Sequence, residues 1–414
     1  MSRPRTSSYD VAIIGGGIIG CALANELGKR FSKVVLIEKE ASVGLHTSGR
    51  NSGVVHSGFN TQPGTLKAKL CVEGSRKIRE FCKQRKIACE QVGTYVAAVE
   101  EAQIPILYEL KSRGEKNSVP DLEILPIERV REQEPNAKGI AALFAPTGAI
   151  VDCFALTRSL ADGAKQLGVT LKLGEEVGGI EEREEGVYIQ TRNGNFAVDL
   201  VINCAGLHAD RLAHMMGLGR DYVMAPFRGE YFEINRAGQP IINSMIYPVP
   251  NPVVPFLGIH LTRTVRGSVL IGPNAVPAFG REAYGLLAFN FRDLAEMLRH
   301  RGLWNALRRN RALVNVAWRE FRHSCSKRHF FREASCLVTG LSLKDLTLGT
   351  RVGIRPQLIR SDGHLVEDLV VETTPRSIHI LNVVSPGMTS ALAFAKWLVG
   401  GIDDNLQWLS PLLK

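Results

Sequence analysis

Apolar residues follow two kinds of pattern along this chain, and each predicts a different element. Continuous apolar runs at 11–14 and 34–37 are typical of strands buried on both faces. Further strands are predicted over 91–99, 169–177, 187–191, 196–198, 199–206, 370–371 and 378–381. Apolar residues at helical spacing predict helices over 18–31, 66–86, 103–113, 154–167, 209–216 and 391–398. Asn193-Gly194 predicts a hairpin turn between two of these strands.

The pattern changes over residues 222–272, where short apolar segments alternate with prolines. Proline in a strand is typical of edge or bulged positions, so this region predicts an antiparallel sheet, including a strand at 254–261. Residues 285–322 read as helical and basic. The order of elements predicts an α/β fold in which a Rossmann-like domain is interleaved with an antiparallel-sheet domain.

A dinucleotide-binding motif, G-x-G-x-x-G at 15–20, lies between the first predicted strand and the first helix. Gly15 permits the tight turn, Gly17 lets the backbone approach a pyrophosphate, and Gly20 lets the helix lie close to the sheet. Glu38 follows Gly20 by eighteen residues and ends the second strand. A carboxylate at this distance accepts hydrogen bonds from ribose hydroxyls and repels a 2′-phosphate, which disfavours NADP.

Two further segments offer polar or backbone donors to the same ligand. The glycine-rich stretch at 46–58 suits a phosphate or a flavin ring, although a solvated surface loop is the alternative. Residues 385–390 start the last predicted helix after a glycine. The candidate cofactor-binding residues are Gly15, Gly17, Ile18, Ile19, Gly20, Glu38, Lys39, Thr47, Ser48, Asn51, Ser52, Gly53, Val177, Ala205, Gly206, Gly353, Gly387, Met388 and Thr389.

Composition excludes several classes of protein. The chain has 414 residues, which suggests two domains, and its longest apolar run is interrupted by three glycines, so no transmembrane helix is predicted. No secretory signal is predicted either, because the charged start leads directly into the first strand. The eight cysteines contain no C-x-x-C, which favours reduced thiols in a cytosolic-type compartment over a metal site or disulfides.

The net charge of +10 is concentrated in one segment. Residues 299–332 hold ten Lys or Arg and one acid, Glu320, so the remaining chain is nearly neutral and nucleic-acid binding is not predicted. Apolar residues at helical spacing here are Leu294, Met297, Leu298, Leu303, Trp304 and Leu307. Arginines between them are Arg292, Arg299, Arg301, Arg308, Arg309 and Arg311. An amphipathic helix over 294–311 fits either peripheral contact with an anionic membrane or packing on the protein's own core.

Longer stretches resemble the L-2-hydroxyglutarate dehydrogenase (oxidase) family of the FAD-dependent D-amino-acid oxidase superfamily. They include YDVAIIGGGIIG at 9–20, NSGVVHSG at 51–58, PFRGEYFEI at 226–234, IYPVP at 246–250, PFLGIHLTR at 255–263, IGPNAV at 271–276 and SPGMTS at 385–390. The chain departs from the family at Arg50, where histidine is frequent, and at Gly387 and Met388, where alanines are frequent. The resemblance implies a D-amino-acid-oxidase-like fold, an FAD cofactor, and oxidation of L-2-hydroxyglutarate or a close 2-hydroxy acid to the 2-oxo acid by hydride transfer to flavin N5.

The resemblance also implies a division of the chain. We expect an FAD-binding domain made of 1–80, 145–215 and 345–414. The substrate domain then comprises 81–144 and 216–344, including the basic helical segment 285–332.

Candidate substrate-site residues follow from the same motifs. Removing the hydroxyl proton needs a base with a pKa near the working pH, which suits His56 or His260, each otherwise a structural histidine. Arg228 and Arg355 are candidates for binding carboxylates, with surface ion pairs as the alternative. Tyr231 and Tyr247 are candidate hydroxyl donors, and aromatic packing is the alternative for each.

Other functions remain open at this stage. The same fold serves enzymes that oxidise amino acids or N-methyl amino acids, and glycerol-3-phosphate-type dehydrogenases. A non-enzymatic FAD-binding protein is a further alternative. A membrane quinone is a candidate electron acceptor. The expected location is the cytoplasm, with peripheral contact to the inner membrane, or the mitochondrion if a transit peptide has been removed.

Overall fold

The computed structural model describes residues 8–234, 240–250, 258–309, 311–322, 324–383 and 385–403. The strands in these ranges are β1 (Ser8–Ile14), β2 (Val34–Glu38), β3 (Val54–Val55), β4 (Cys89–Gln91), β5 (Thr94–Ala98), β6 (Glu123–Pro126), β7 (Ala141–Ala145), β8 (Ala149–Val151), β9 (Thr170–Leu173), β10 (Val177–Arg183), β11 (Gly186–Thr191), β12 (Gly194–Asn203), β13 (Tyr222–Ile234), β14 (Met245–Pro248), β15 (His260–Arg263), β16 (Val269–Gly272), β17 (Val276–Pro277), β18 (Leu346–Arg360), β19 (Val370–Thr374) and β20 (Ser377–Asn382).

The helices in the same ranges are α1 (Ile18–Leu27), α2 (Leu66–Arg85), α3 (Ile104–Lys116), α4 (Ile127–Arg131), α5 (Cys153–Gln166), α6 (Ala209–Met215), α7 (Phe291–Arg299), α8 (Arg301–Arg309), α9 (Arg311–Arg322), α10 (Lys327–Ser335) and α11 (Gly387–Asp403). Short 3-10 turns lie at Glu101–Gln103, Gly206–His208 and Leu343–Asp345. Helix α1 therefore ends at Leu27, earlier than the predicted residue 31, and residues 28–30 continue as turns.

A parallel layer in the order β9-β2-β1-β12-β20 forms the centre of the first sheet. Its central strand β1 pairs Ile13 with Leu36 on one side and with Ile202 on the other. These apolar residues are fully buried, as the continuous apolar runs predict. Helices α1, α2, α5 and α11 supply side chains such as Leu23 and Phe394 to the core beside this sheet.

Strand β12 joins two elements that the sequence predicts separately. Its first half pairs antiparallel with β11, forming the expected hairpin, and its second half lies parallel to β1 and β20. Residues 194–197 are partly exposed, whereas 201–203 are buried on both faces, which explains why the sequence pattern changes midway. The predicted strand at 169–177 is instead divided at Gly174, where φ is +69°, into β9 and β10.

The second sheet has nine described strands and is built around the long antiparallel pair β13 and β18. Their pairing runs from Tyr222 opposite Arg360 to Ile234 opposite Leu346. This confirms the antiparallel region predicted around 222–272, although the start of the predicted strand at 254–261 lies outside the described residues. Because β18 belongs to this sheet, we propose that the third FAD-domain segment begins after Arg360 rather than at 345.

The basic segment is divided into separate helices. The single helix predicted over 294–311 is wrong, because His300 adopts an extended conformation (ψ 124°) between α7 and α8. Leu294, Met297 and Leu303 pack beside β13 and β18, which supports core packing for this face. The side chain of Arg311 lies outside the described part of the chain. Within the described ranges, no helix is both long and apolar enough to cross a membrane.

Candidate active site

A cavity of about 1340 Å³ extends between the two sheets. The first sheet contributes residues that follow the carboxyl ends of β1, β2 and β12, where open α/β sheets bind ligands. The second sheet contributes side chains of β5, β13, β14, β15 and β18. The volume exceeds the roughly 300–1,000 Å³ typical of a single small-molecule pocket, so a dinucleotide and a substrate fit together.

The turn after β1 has the geometry that a dinucleotide-binding loop requires. Gly15 has φ +109°, and a Cβ there would lie 2.5 Å from the Cys204 carbonyl oxygen. A Cβ on Gly20 would lie 2.0 Å from the Gly15 carbonyl oxygen, so the first turn of α1 packs directly on the loop. The N-terminus of α1 therefore borders the cavity with its partial positive charge, where a pyrophosphate binds favourably.

Glu38 is positioned by the same loop. One carboxylate oxygen accepts a hydrogen bond from the Gly16 N–H at 2.6 Å, and the other accepts one from the Glu40 N–H at 2.9 Å. The side chain also lines the cavity, which leaves its remaining lone pairs available to ribose hydroxyls. Since the glycine turn, the helix terminus and Glu38 converge on one cavity, these residues fit the adenosine diphosphate portion of FAD.

The predicted cofactor residues converge on this cavity with two exceptions. Gly20 and Gly53 lie behind its wall, Gly20 under the Gly15 turn and Gly53 against the Val151 carbonyl group. All other residues of the predicted set line the cavity, including Gly387, which begins α11. Ser48 holds the 46–58 segment against the start of α1, because its hydroxyl accepts a hydrogen bond from the Ile18 N–H at 2.8 Å.

A group of polar and charged residues beside Glu38 joins segments that are distant in the sequence, and Lys39 is the one member that sequence reasoning singled out. We call this group the charge clamp; it consists of Lys39, Glu40, His46, His208 and Glu282. Glu282 pairs with the Lys39 ammonium and with His208 Nε2. His46 Nε2 lies 2.9 Å from Glu40 Oε1. Hydrogen bonding to His208, together with the Lys39 bond and nearby positive charge, lowers the pKa of Glu282 to about 2.

Three clamp residues have the spacing of metal ligands. Ligand atoms of Glu40, His46 and Glu282 all lie within 4.8 Å of one another. However, the Lys39 ammonium contacts both carboxylates, and the lysine thereby supplies the positive charge that a metal ion would bring. The arrangement therefore serves as an ion-pair network between residues 39–46 and Glu282.

The predicted catalytic histidines and both tyrosines lie at the other end of the cavity. His56, His260, Tyr231 and Tyr247 all line it. The rings of Tyr247 and His260 are in contact, with centroids 4.2 Å apart. Burial raises the pKa of Tyr231 to about 12, so this phenol stays protonated and can donate a hydrogen bond at neutral pH.

The hydrogen bonds of His260 define its tautomer. Nδ1 lies 2.9 Å from the Gly258 carbonyl oxygen, which can only accept, so Nδ1 carries the proton. Nε2 is then the basic nitrogen. Burial lowers the pKa of His260 to about 4. Burial, with smaller contributions from the nearby His260 and Lys67, also lowers the pKa of His56 to about 4. Both rings are therefore neutral near pH 7 and able to accept a proton, but a pKa of about 4 lies below the value near the working pH that was expected of the base from the sequence.

The structure separates the two candidate arginines. Arg355 lines the cavity, and its pKa, lowered by burial to about 10, leaves it positively charged at neutral pH. Arg228 lies on the opposite face of β13, because side chains alternate along a strand and Phe227, Gly229 and Tyr231 face the cavity.

Buried Arg228 pairs with Glu230, at 2.9 Å between Nη2 and Oε1. The same guanidinium donates to the Gly285 carbonyl oxygen at 2.7 Å and to Ser324 Oγ at 3.2 Å. Arg228 thus connects β13 to the basic segment instead of contacting the cavity.

Lys67 is a cavity residue absent from the predicted set. It lies in the first turn of α2, and its ammonium donates to the Glu367 carbonyl oxygen at 2.6 Å. Burial, followed by the positive charge of Arg355, lowers the pKa of Lys67. The sequence contained a signal for Lys67, because a lysine in the first turn of a predicted helix opposes the helix macrodipole and is unfavourable there.

Comparison with known proteins identifies the family. Residues 10–400 match the family described as "FAD dependent oxidoreductase". The L-2-hydroxyglutarate dehydrogenase of Escherichia coli K12 is 37% identical over 401 residues, covering 96% of this chain and 94% of that protein. The mitochondrial L-2-hydroxyglutarate dehydrogenase of Homo sapiens is 34% identical over 421 residues, covering 97% of this chain and 89% of that protein.

Solved structures share the fold over nearly the whole chain. The dithionite-reduced L-α-glycerophosphate oxidase of Mycoplasma pneumoniae, with FAD bound, superposes with a TM-score of 0.77 at 25% identity, covering 94% of this chain and 93% of that one. Glycine oxidase from Geobacillus kaustophilus superposes with a TM-score of 0.71 at 21% identity, covering 95% and 94%, a likeness of fold alone. By its sequence and its fold, this chain belongs to the L-2-hydroxyglutarate dehydrogenase family of FAD-dependent oxidoreductases.

Proposed function

We propose that this protein is an FAD-dependent dehydrogenase that oxidises L-2-hydroxyglutarate, or a close 2-hydroxy acid, to the 2-oxo acid. The observation that carries the proposal is the convergence of neutral His260, neutral His56 and cationic Arg355 on the cavity that begins at the dinucleotide turn. The family relationship supports the same substrate, since the similar dehydrogenases are named for L-2-hydroxyglutarate.

Each residue has a distinct task in this proposal. Bound FAD supplies the acceptor for the hydride that leaves C2. Nε2 of His260 takes the hydroxyl proton, because Nδ1 is committed to the Gly258 carbonyl group. Arg355 binds the C1 carboxylate through its planar guanidinium and so fixes the orientation of C2. Tyr231 is a hydrogen-bond donor for the substrate oxygens. His56 is a second neutral imidazole in the lining of the same cavity.

Anaerobic mixing with candidate substrates tests this function. L-2-hydroxyglutarate should bleach the flavin absorbance faster than D-2-hydroxyglutarate, lactate, amino acids, N-methyl amino acids or glycerol 3-phosphate. The panel covers the alternatives that share the fold. Faster bleaching by any of these other compounds would overturn the substrate assignment.

We also propose peripheral contact with an anionic membrane, which would place a quinone within reach as electron acceptor. Although one face of α7 and α8 packs on the core, Leu298, Trp304 and Leu307 remain 42–47% exposed. Arg308 and Arg309 are exposed beside them. An apolar surface with adjacent arginines is typical of proteins that bind the interface of an anionic bilayer. This contact would place the protein on the surface of a quinone-containing membrane. That surface is either the cytoplasmic face of the inner membrane or a membrane surface inside a mitochondrion.

Co-sedimentation with liposomes tests the membrane contact. The protein should bind vesicles containing anionic lipid at low salt and dissociate as salt rises, because charge is screened within about 10 Å at 0.1 M. Changing Arg308 and Arg309 to Gln should weaken binding while turnover with a soluble dye is retained. The control is Arg76→Gln on α2, where the arginine side chain is also exposed. Absence of binding at low salt would exclude the contact.

A further inference from the structure

Lys67 occupies an electrostatically unfavourable position. It lies in the first turn of α2, where the helix dipole disfavours a cation. It also faces the positive charge of Arg355 in the same cavity, and burial together with that charge lowers its pKa. Two neighbouring cations in a partly buried cavity repel each other, and an anion that contacts both relieves that repulsion. The position of Lys67 in the cavity lining therefore suits an anionic ligand.

The contacts of Lys67 leave it able to bind such a ligand. Its ammonium donates one hydrogen bond, at 2.6 Å, to the backbone carbonyl of Glu367. A lysine ammonium has three donors, so two remain. Glu367 and Asp368 also line the cavity, and the charge of Glu367 acts on Arg355 as well as on Lys67. Both acidic residues are exposed, so solvent screens their charge. The Glu367 contact fixes the direction of the lysine side chain without neutralising it.

We propose that Lys67 binds the second carboxylate of the substrate and so makes the site selective for dicarboxylic 2-hydroxy acids. The inference rests on the proposed function, in which Arg355 binds the C1 carboxylate. Arg355 and Lys67 then hold opposite ends of one ligand, with the C2 hydroxyl near His260. A compact ammonium on a flexible chain suits a carboxylate that is itself at the end of a flexible chain. A substrate with a neutral tail leaves this ammonium without its anion.

Substrate pairs separate this role from a structural one. Lys67→Met should lower kcat/KM for L-2-hydroxyglutarate by about 10- to 100-fold, the range expected for losing a charge-assisted hydrogen bond. The kcat/KM for L-2-hydroxyvalerate, which has the same carbon number and a neutral tail, should change less than about threefold. Lys67→Arg should restore part of the selectivity. The control is Lys69→Met, an exposed position on the same helix.

A structural role predicts a different result. If Lys67 only holds the loop at Glu367, Lys67→Met will lower turnover of both substrates by the same factor, and the inference is overturned. Flavin content per chain is measured for every variant, so that loss of cofactor is not mistaken for loss of selectivity.

Calorimetric titration with glutarate separates failure of this inference from failure of the proposed function. Glutarate has both carboxylates and no hydroxyl, so it binds without reacting. Wild-type holoenzyme should bind glutarate at least tenfold more tightly than pentanoate, and Lys67→Met should remove that preference. If the preference survives in Lys67→Met, the inference is wrong even where L-2-hydroxyglutarate is oxidised. If glutarate binding depends on Lys67 but L-2-hydroxyglutarate leaves the flavin oxidised, the dicarboxylate subsite stands and the proposed oxidation fails.

Discussion

His260 owes its proposed role to a single hydrogen bond. Its Nδ1 donates to the Gly258 carbonyl group, which leaves Nε2 as the only basic atom of the ring. Burial of the side chain, which is 5% exposed, then keeps the ring neutral well below its usual pKa. Position and protonation state are thus set by the local backbone and by the depth of the cavity, without a partner carboxylate among the described contacts of this ring.

Replacing His260 by alanine should therefore reduce catalysis without releasing flavin. Loss of a general base typically lowers the rate by about 10²–10⁴-fold, so we expect a decrease in that range for anaerobic flavin reduction. His214→Ala is the control, since His214 does not line the cavity. Flavin reduction at the wild-type rate in His260→Ala would assign the base to another residue.

The same assignment fixes the pH dependence of the wild-type enzyme. A base must be unprotonated to work, so kcat/KM should fall as the pH drops through about 4, the pKa that burial gives His260, and stay level near neutrality. His260→Ala should lose this acid limb. A limb that persists unchanged in the variant would show that another group titrates.

Most of the candidate cofactor residues line the cavity, whereas the sequence did not distinguish between the two candidate carboxylate-binding arginines. The glycine turn is readable because Gly15 and Gly20 occupy positions where any Cβ would collide with backbone. The sequence could not show which of the two arginines, Arg228 on β13 or Arg355 on β18, lines the cavity. Buried residues occur on both faces of β13, so the apolar pattern does not reveal which face meets the cavity. Lys67 falls within the helix predicted over 66–86, where a lysine is ordinary, so the pattern does not single it out.

At the scale of elements, strand and helix ends were the least predictable features. The pattern of β12 changes from half-exposed to fully buried within one strand, so the sequence suggests two elements where the structure has one. Between α7 and α8 the apolar spacing continues through His300 even though the backbone there is extended. In both cases the strands that contact these elements come from distant parts of the chain, and these contacts determine where each element begins and ends.

The start of α1 is the element on which flavin binding depends most. A Cβ on Gly17 would lie 3.1 Å from the Ser48 hydroxyl, and the branched side chain of Gly17→Val would displace Ser48 from the Ile18 N–H. We expect this variant to purify with less than about a tenth of the wild-type flavin per chain, since the backbone can no longer approach the pyrophosphate. Gly400→Ala on α11, where a Cβ meets open space, is the control. Full flavin content in Gly17→Val would refute the site.

At the scale of the whole molecule, buried histidines link stability to pH. His379 is fully buried between Asn203 and Ser377, and its Nδ1 accepts a hydrogen bond from Asn203 at 3.0 Å. Burial lowers the pKa of His379 from 6.5 to about 4, as it does for His260. The unfolded chain therefore binds these protons at a higher pH than the folded protein does.

The free energy of unfolding should consequently fall as the pH drops from about 6.5 toward 4. Each of the three histidines whose pKa burial lowers to about 4, His56, His260 and His379, contributes about 2 kcal/mol of this loss between pH 6.5 and 5. Denaturant unfolding of the holoenzyme at a series of pH values measures the slope. His379→Gln should reduce that slope by close to one proton, whatever its effect on absolute stability. An unaltered slope would mean that His379 is protonated equally in both states.

The cavity is built from distant parts of the chain, which has a consequence for biosynthesis. It is lined by Ile14 and Gly15 from the start of the described residues and by Gly387 to Thr389 from α11, so these two groups of wall residues are separated by nearly the whole chain. At a translation rate of about 5–20 residues per second, roughly 20–75 seconds pass between synthesis of the two. During that interval a nascent chain carries the dinucleotide turn without the start of α11, so the wall of its flavin site stays incomplete until residues 387–389 have been made.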